Sequence, residues 1–377
     1  MKTYNSRMKK DEEVILGLRC LFEQFGYKKV NVSKFEDFNL YIENRNFLNT
    51  ENIITFMDLN GRLMALKPDV TLSVIKNVAA GKPDGFERLY YIEPIYRLAK
   101  ENHAFREINQ IGMELIGETG SYANMEAVLL AAESLRLIDA NFYLEISHLG
   151  FISGLLEGMR LEHGMQQQVL QYLHNKNTHD LTRLLGQTQL SETEKNKLAA
   201  LPGLYGSFRD TLQKAKELVI SQTMAEALEE LAGLYQVLED SGCAGQVGLD
   251  FSVVNDLDYY NGLIYRGFIE GISRPVLTGG RYDRLMKKLG KDKGAIGFAV
   301  SMNELNTRFK TYEPFDTDDL ILYCEGEDYS ALMRNAAELR AQGRRVRVEK
   351  EGFCGSVACQ RRLRFQNGIL KEEKENA

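Results

Sequence analysis

The chain has 377 residues, 44% of them hydrophobic and 27% charged, which is enough for a large core and for two or three domains or one large mixed domain with appendages. No apolar run approaches the roughly 18 residues of a membrane helix, and the opening MKTYNSRMKKDEEVILGL lacks a signal-peptide core, so a cytoplasmic protein with no membrane association is expected. Lys plus Arg number 47 against 53 Asp plus Glu, a formal net charge of −6, which weighs against a nucleic-acid partner unless one face is kept basic.

Asp11 to Phe25 carries an apolar stripe (Val14, Ile15, Leu18, Leu21, Phe22) that predicts a helix ending at Gly26, followed by a strand over Tyr27 to Val32. Thr55 to Asp58 and Leu63 to Leu66 flank Asn60-Gly61, a hairpin signal. The second strand delivers Leu66-Lys67-Pro68-Asp69-Val70-Thr71; Pro68 ends it, and Asp69 and Thr71 either cap the helix beginning at Leu72 or face a cavity. Arg88 to Arg97 and Arg106 to Gly117 form a second pair of strands. Period-two alternation puts Glu107, Asn109 and Ile111 on one face and Ile108, Gln110, Gly112 and Glu114 on the other. Glu114, set among Met113, Leu115 and Ile116, needs a cation or a hydrogen-bond donor, with Arg97 or a ligand's ammonium or imidazolium as candidates.

Ser121 is placed to cap a helix from Ala123 to Ile138, and Phe142 to Ile146 reads as a strand. From Gly150 to Gly242 the pattern is helical almost throughout, over 152–159, 165–173, 181–185, 204–219 and 224–238. The histidines there, His163, His174 and His179, are too irregular for a metal site. Gln246 to Val254 and Leu263 to Gly271 read as strands around the polar stretch Asn255-Asp256-Leu257-Asp258-Tyr259-Tyr260-Asn261-Gly262. Thr278-Gly279-Gly280-Arg281-Tyr282-Asp283 precedes a helix, and Ala295 to Val300 leads into another near Met302. After a linker at 312–318 come a strand (Leu320 to Cys324), a helix (Tyr329 to Gln342) and a strand (Arg345 to Glu349). The five cysteines, Cys20, Cys243, Cys324, Cys354 and Cys359, are scattered, so reduced thiols, no metal and no cofactor are expected.

Leu-Asp-Tyr-Tyr-Asn at 257–261, Gly-Gly-Arg-Tyr-Asp at 279–283 and Ile-Gly-Phe-Ala at 296–299, in that order, resemble the histidine-recognition and motif 3 region of class II histidyl-tRNA synthetases and of their paralogues, the ATP phosphoribosyltransferase regulatory subunits. The resemblance implies an α+β fold: a class II synthetase-like antiparallel sheet flanked by helices over 1–149 and 243–311, a helical insertion at 150–242, and a truncated anticodon-domain-like α/β segment at 318–377. It also implies a histidine pocket. Lys67-Pro68-Asp69-Val70-Thr71 stands where the synthetases read Arg-Pro-Glu-Gly-Thr, the acid and threonine holding the amino group. Arg97 stands where an arginine contacts phosphate and carboxylate, and Gln110, Glu114, Tyr259 and Tyr260 complete the pocket.

Three departures separate the chain from an active synthetase. Ala99 replaces the loop acid that engages adenine, Asn255-Asp256 replaces the Arg-Gly before Leu-Asp-Tyr-Tyr, and Glu304 replaces the arginine on the γ-phosphate. An acid at Glu304 repels what that arginine attracts. The resemblance therefore implies a non-catalytic regulatory subunit. Such a subunit works with a short-form ATP phosphoribosyltransferase catalytic subunit, as a homodimer within a hetero-octamer, with histidine as effector and no tRNA, in the first step of histidine biosynthesis. An active histidyl-tRNA synthetase, or a paralogue serving another amino-acid or RNA process, are the alternatives; Asp69 in place of glutamate bears on the last.

Overall fold

The computed structural model describes residues 8–45, 52–77, 86–99, 104–117, 119–254, 259–309, 315–352 and 357–373. The chain separates into two compact units, one over Lys10–Arg308 and the other formed by the C-terminal residues from Phe309 together with Met1–Lys9. In chain order the first unit contains α1 (Lys10–Gln24), β1 (Lys28–Lys29), β2 (Phe35–Asp37), α2 (Asn39–Glu43), β3 (Thr55–Met57), β4 (Leu63–Leu66), α3 (Val70–Asn77), β5 (Glu87–Leu98), β6 (Phe105–Gly117), α4 (Ser121–Ile138) and β7 (Phe142–His148). It continues with α5 (Leu149–Gly158), α6 (His163–His174), α7 (Thr178–Gly186), α8 (Glu192–Ala200), β8 (Tyr205–Ser207), α9 (Phe208–Lys216), α10 (Gln222–Asp240), β9 (Val247–Asp250), β10 (Leu263–Ile269), β11 (Leu277–Arg281), α11 (Asp283–Lys288), β12 (Gly294–Ser301) and α12 (Met302–Phe309).

The organising layer is a nine-stranded sheet in the order β1-β5-β6-β12-β11-β10-β7-β9-β8. From β5 to β7 every neighbouring pair is antiparallel, and only the β1·β5 and β7·β9 pairs are parallel. The long strands β5 and β6 pair from Glu87↔Ile116 to Leu98↔Phe105, so the face alternation read from the sequence carries through the sheet. One layer of helix is laid on by α1, whose Val14, Leu18 and Phe22 recur at helical spacing and are buried, each worth roughly 2 kcal/mol in apolar transfer. A small sheet, β2-β4-β3, carries the Asn60-Gly61 hairpin, with Gly61 at φ +77°, the left-handed region that this tight turn requires.

Several sequence expectations differ from the structure. The strand over Tyr27 to Val32 is reduced to β1, with the chain carried on by the Val30 N–H bond to the Tyr90 carbonyl. Ser121 is the first helical residue of α4, and Gly120 takes the cap position. The segment 204–219 is not one helix: Gly206, at φ +131°, lets Tyr205–Ser207 pair with β9, and Ser207 then caps α9 through the Asp210 amide. The helix α8 was not anticipated, although Ser191 and Glu194 form a capping box around its start. Gly279 and Gly280 are strand residues of β11, and small because of close backbone approach: a Cβ on Gly280 would meet the Leu263 carbonyl and the Tyr260 ring at 2.7 Å.

The second unit is a four-stranded sheet, β14-β13-β15-β16, built from β13 (Thr317–Tyr323), β14 (Val346–Lys350), β15 (Cys359–Gln366) and β16 (Ile369–Glu372), with α13 (Tyr329–Ala341) connecting β13 to its parallel neighbour β14. Sequence reading missed β15 and β16 because their arginine-rich composition mimics a solvated tail. Those arginines are instead internally matched. Asp319 is fully buried and accepts 2.7 Å bonds from Arg344 and from Arg361, while Arg364 pairs with Glu351 and Glu373. Burial opposes ionisation of Asp319, but the two guanidinium groups hold its carboxyl below the usual range. Asp319→Ala strands both arginines and is expected to destabilise this unit by about 3 kcal/mol, read as a lowered urea midpoint. An unchanged midpoint would refute a structural role for the cluster. Cys354 lies outside the described residues, while Cys20, Cys243, Cys324 and Cys359 form no disulfide among the described residues.

Candidate functional site

A cavity of about 330 Å³ opens in the first unit where the β4–α3 junction, the strands β5, β6, β12 and β11, and the segment leading into β10 converge. Asp69, Thr71, Arg97, Gln110, Glu114, Tyr259 and Tyr260 all line it. The local causes are distinct for each. Pro68 ends β4 and turns the chain so that Asp69 is both a helix cap, accepting the Leu72 amide at 2.8 Å, and part of the cavity wall. Gln110 and Glu114 share the inward face of β6. Arg97 reaches in from the end of β5 and donates from Nε to the Pro68 carbonyl at 2.9 Å. Tyr259 and Tyr260 stand edge to face, ring centroids 4.7 Å apart.

Glu114 forms the floor, 1% exposed. Among the described residues its hydrogen-bond partners are hydroxyls and not Arg97: Thr71 Oγ1 donates to Oε1 at 2.6 Å, and the Tyr282 hydroxyl donates to Oε2. Desolvation pushes its pKa up to about 8; the two hydroxyls pull the other way, and the Asp69 charge adds to the rise. Asp69 is raised by the same desolvation, offset in part by the Leu72 amide and by Arg97. The site thus holds two carboxylates whose charges are unfavourable until something cationic enters.

Gly297 faces Glu114 across the β6·β12 register, and a Cβ there would overlap the Glu114 carboxylate and the Met113 carbonyl. Gly112 opens space in the same way for the Tyr91 ring. Sequence reading did not assign Tyr91, Thr278, Tyr282, Gly297, Phe298 or Ala299 to the wall. A signal existed for two of them: Tyr91 shares the period-two face of Arg97, and Tyr282 sits inside the Gly-Gly-Arg-Tyr-Asp motif.

Lys67, which stands in the place of the synthetase arginine, points elsewhere. It is fully buried and paired with Glu93 at 3.0 Å. Ala99 is 7% exposed and its amide closes the β5–β6 hairpin on the Ala104 carbonyl. Glu304 lies half-buried on α12, next to Asn303, whose side chain bridges the Asn109 amide and the Glu107 carbonyl of β6. Asn255 lies outside the described residues. Among the described residues that line the cavity, Arg97 is the single cation.

The family model for histidyl-tRNA synthetase matches residues 3–305. An ATP phosphoribosyltransferase regulatory subunit from Oceanobacillus iheyensis is 29% identical over 300 residues, covering 79% of this chain and 74% of its own. One from Caldanaerobacter subterraneus subsp. tengcongensis is 32% identical over 291 residues, covering 76% and 75%. Among solved structures, an ATP phosphoribosyltransferase regulatory subunit/histidyl-tRNA synthetase from Bacillus halodurans aligns with a TM-score of 0.79 at 25% identity, over 92% of this chain and 90% of that one.

Proposed function

The chain belongs to the histidyl-tRNA synthetase family, in the branch of ATP phosphoribosyltransferase regulatory subunits, and from that membership we propose that its cavity senses histidine and does not activate it. Its role is that of a regulatory subunit in histidine biosynthesis, acting beside a catalytic ATP phosphoribosyltransferase chain. The observation that carries the sensor reading is the charge set of the cavity: Asp69 and Glu114 inside, and Arg97 as the lone cation among the described lining residues. An ammonium and an imidazole match the two acids, and a carboxylate matches the planar guanidinium. A triphosphate and its transition state need several cations converging on the phosphates, and this wall supplies one cation beside two carboxyl groups. The same charge set disfavours the synthetase alternative.

In this reading the chain has no catalytic residue of its own. It assembles as a homodimer within a hetero-octamer, and histidine in the cavity biases the complex toward an inactive state. Linkage then requires that binding of the catalytic chain and of histidine affect one another by one common factor. The expected result in the reconstituted complex is phosphoribosyl transfer that histidine inhibits, with no histidine-dependent ATP–pyrophosphate exchange by this chain. Exchange above background would contradict the sensor reading.

Arg97→Ala tests the carboxylate clamp. Histidine affinity is expected to fall by about tenfold to a hundredfold, the worth of a charge-assisted hydrogen bond. Histidinol, which lacks the carboxylate, should bind wild type and variant alike. Equal losses for both ligands would remove Arg97 from that role.

A further inference from the structure

A second cavity, of about 510 Å³, lies in the same unit beside the first. Its floor is apolar, made by the buried Leu149, Ile152 and Leu156 of α5 and by Val254. One face of α6 covers it: His163, Gln166, Gln167, Leu170, Gln171 and His174 recur at helical spacing and all line the cavity, while Val169 and Leu173 of the same helix are buried. Tyr260 belongs to the walls of both cavities. Arg284 is at the rim, exposed to solvent.

The carboxamides are only partly used. Gln166 donates from Nε2 to the Leu161 carbonyl at 2.8 Å, and Gln167 Nε2 lies 3.1 Å from His163 Nε2, so the side-chain carbonyls have no acceptor role in either contact. Gln171 and His174 make no side-chain hydrogen bond among the described residues. An apolar bed, an aromatic edge, a row of carboxamides and a guanidinium at the mouth are complementary to one kind of small molecule. A purine ring lies on the bed and against Tyr260, a carboxamide pairs with the adjacent donor and acceptor of an adenine edge, and the guanidinium takes a phosphate. The volume lies in the usual range for small-molecule sites.

We propose that this second cavity is an adenine-nucleotide site, and that Tyr260 couples it to the first. The coupling rests on the histidine reading of the first cavity; the nucleotide site does not. Tyr260 is positioned to carry it because its ring packs on Gly280 and against Tyr259, while its neighbour Asn261 is tied to Arg281 by its amide and to Asp283 by its side chain, so occupation of either side bears on one short segment.

The test titrates the full chain with adenosine 5′-monophosphate by calorimetry, with and without histidine, in wild type, Leu170→Trp and Gln171→Glu. The tryptophan fills the cavity, and the glutamate, at an exposed position, puts a negative charge on the cavity wall that disfavours an anionic ligand. The expected result is saturable binding that weakens at least tenfold in both variants, with histidine affinity in the absence of nucleotide unchanged. In wild type, nucleotide and histidine should shift one another's affinity by the same factor without mutual displacement. No saturation, or binding that both variants retain, overturns the site. Competitive displacement by histidine also overturns it, because the nucleotide then occupies the first cavity. A chain that binds nucleotide but not histidine would sink the sensor reading and the coupling while leaving the nucleotide site standing.

Discussion

Glu114→Gln is expected to weaken histidine binding by about a hundredfold while leaving the unliganded protein folded. The amide is the neutral isostere of the protonated acid: it can accept from Thr71 and donate to Tyr282, so the hydroxyl pair remains satisfied. What is lost is the charge that meets a cationic ligand, and one charge-assisted hydrogen bond in a buried site is worth about 1.5–3 kcal/mol. The same substitution should change the pH dependence of stability. With its pKa raised to about 8 in the fold, Glu114 keeps a proton that the unfolded chain releases near pH 4.5. The folded state binds more protons over that interval, so its contribution is full below the unfolded pKa and is lost as pH rises through about 8. Wild type should therefore lose on the order of 3 kcal/mol between about pH 5 and 8 from this group, and Glu114→Gln should flatten that slope. Histidine binding near pH 7 should release a proton in wild type and not in the variant, measured by calorimetry in buffers of different ionisation enthalpy. A variant that binds histidine as wild type does would remove Glu114 from ligand recognition.

Gly297→Ala is expected to be the second most damaging change at the site. The added Cβ has the Glu114 carboxylate on one side and the Met113 carbonyl on the other, and the backbone oxygen cannot move without breaking the β6·β12 ladder. Overpacking of this kind costs about 1–3 kcal/mol. It should appear twice, as a lower melting temperature and as a loss of histidine affinity exceeding that of an equally destabilised variant of the other unit, such as Asp319→Ala. If Gly297→Ala lowers stability alone, the glycine serves the sheet and not the pocket.

The antiparallel frame of the fold was legible because its signals are local. The Asn60-Gly61 hairpin, the alternation in β5 and β6, and the stripe of α1 each specify an element without reference to the rest of the chain. The shorter elements were not legible, for particular reasons. Tyr205–Ser207 becomes a strand through pairing with β9, a tertiary contact that composition does not announce. The arginines of β15 read as a solvated tail because their partner, Asp319, lies on another strand of that sheet. In the site, the seven candidate residues came from motif resemblance, and the structure places them around one cavity. The two features that set its chemistry, Tyr282 against Glu114 and the clearance above Gly297, depend on which strands are neighbours. Sequence spacing gives residue types; the sheet order β6-β12-β11 determines which of them meet.

The most direct measurement is a calorimetric titration of the purified chain with histidine, alone and together with a short-form ATP phosphoribosyltransferase catalytic chain. The predicted result is stoichiometric binding of histidine to this chain alone, with an affinity that the catalytic chain alters and that Glu114→Gln lowers about a hundredfold. Absence of histidine binding in both settings, with a catalytic chain that is nonetheless activated, would contradict the account and would mean that the cavity is an inherited shape with no sensing role.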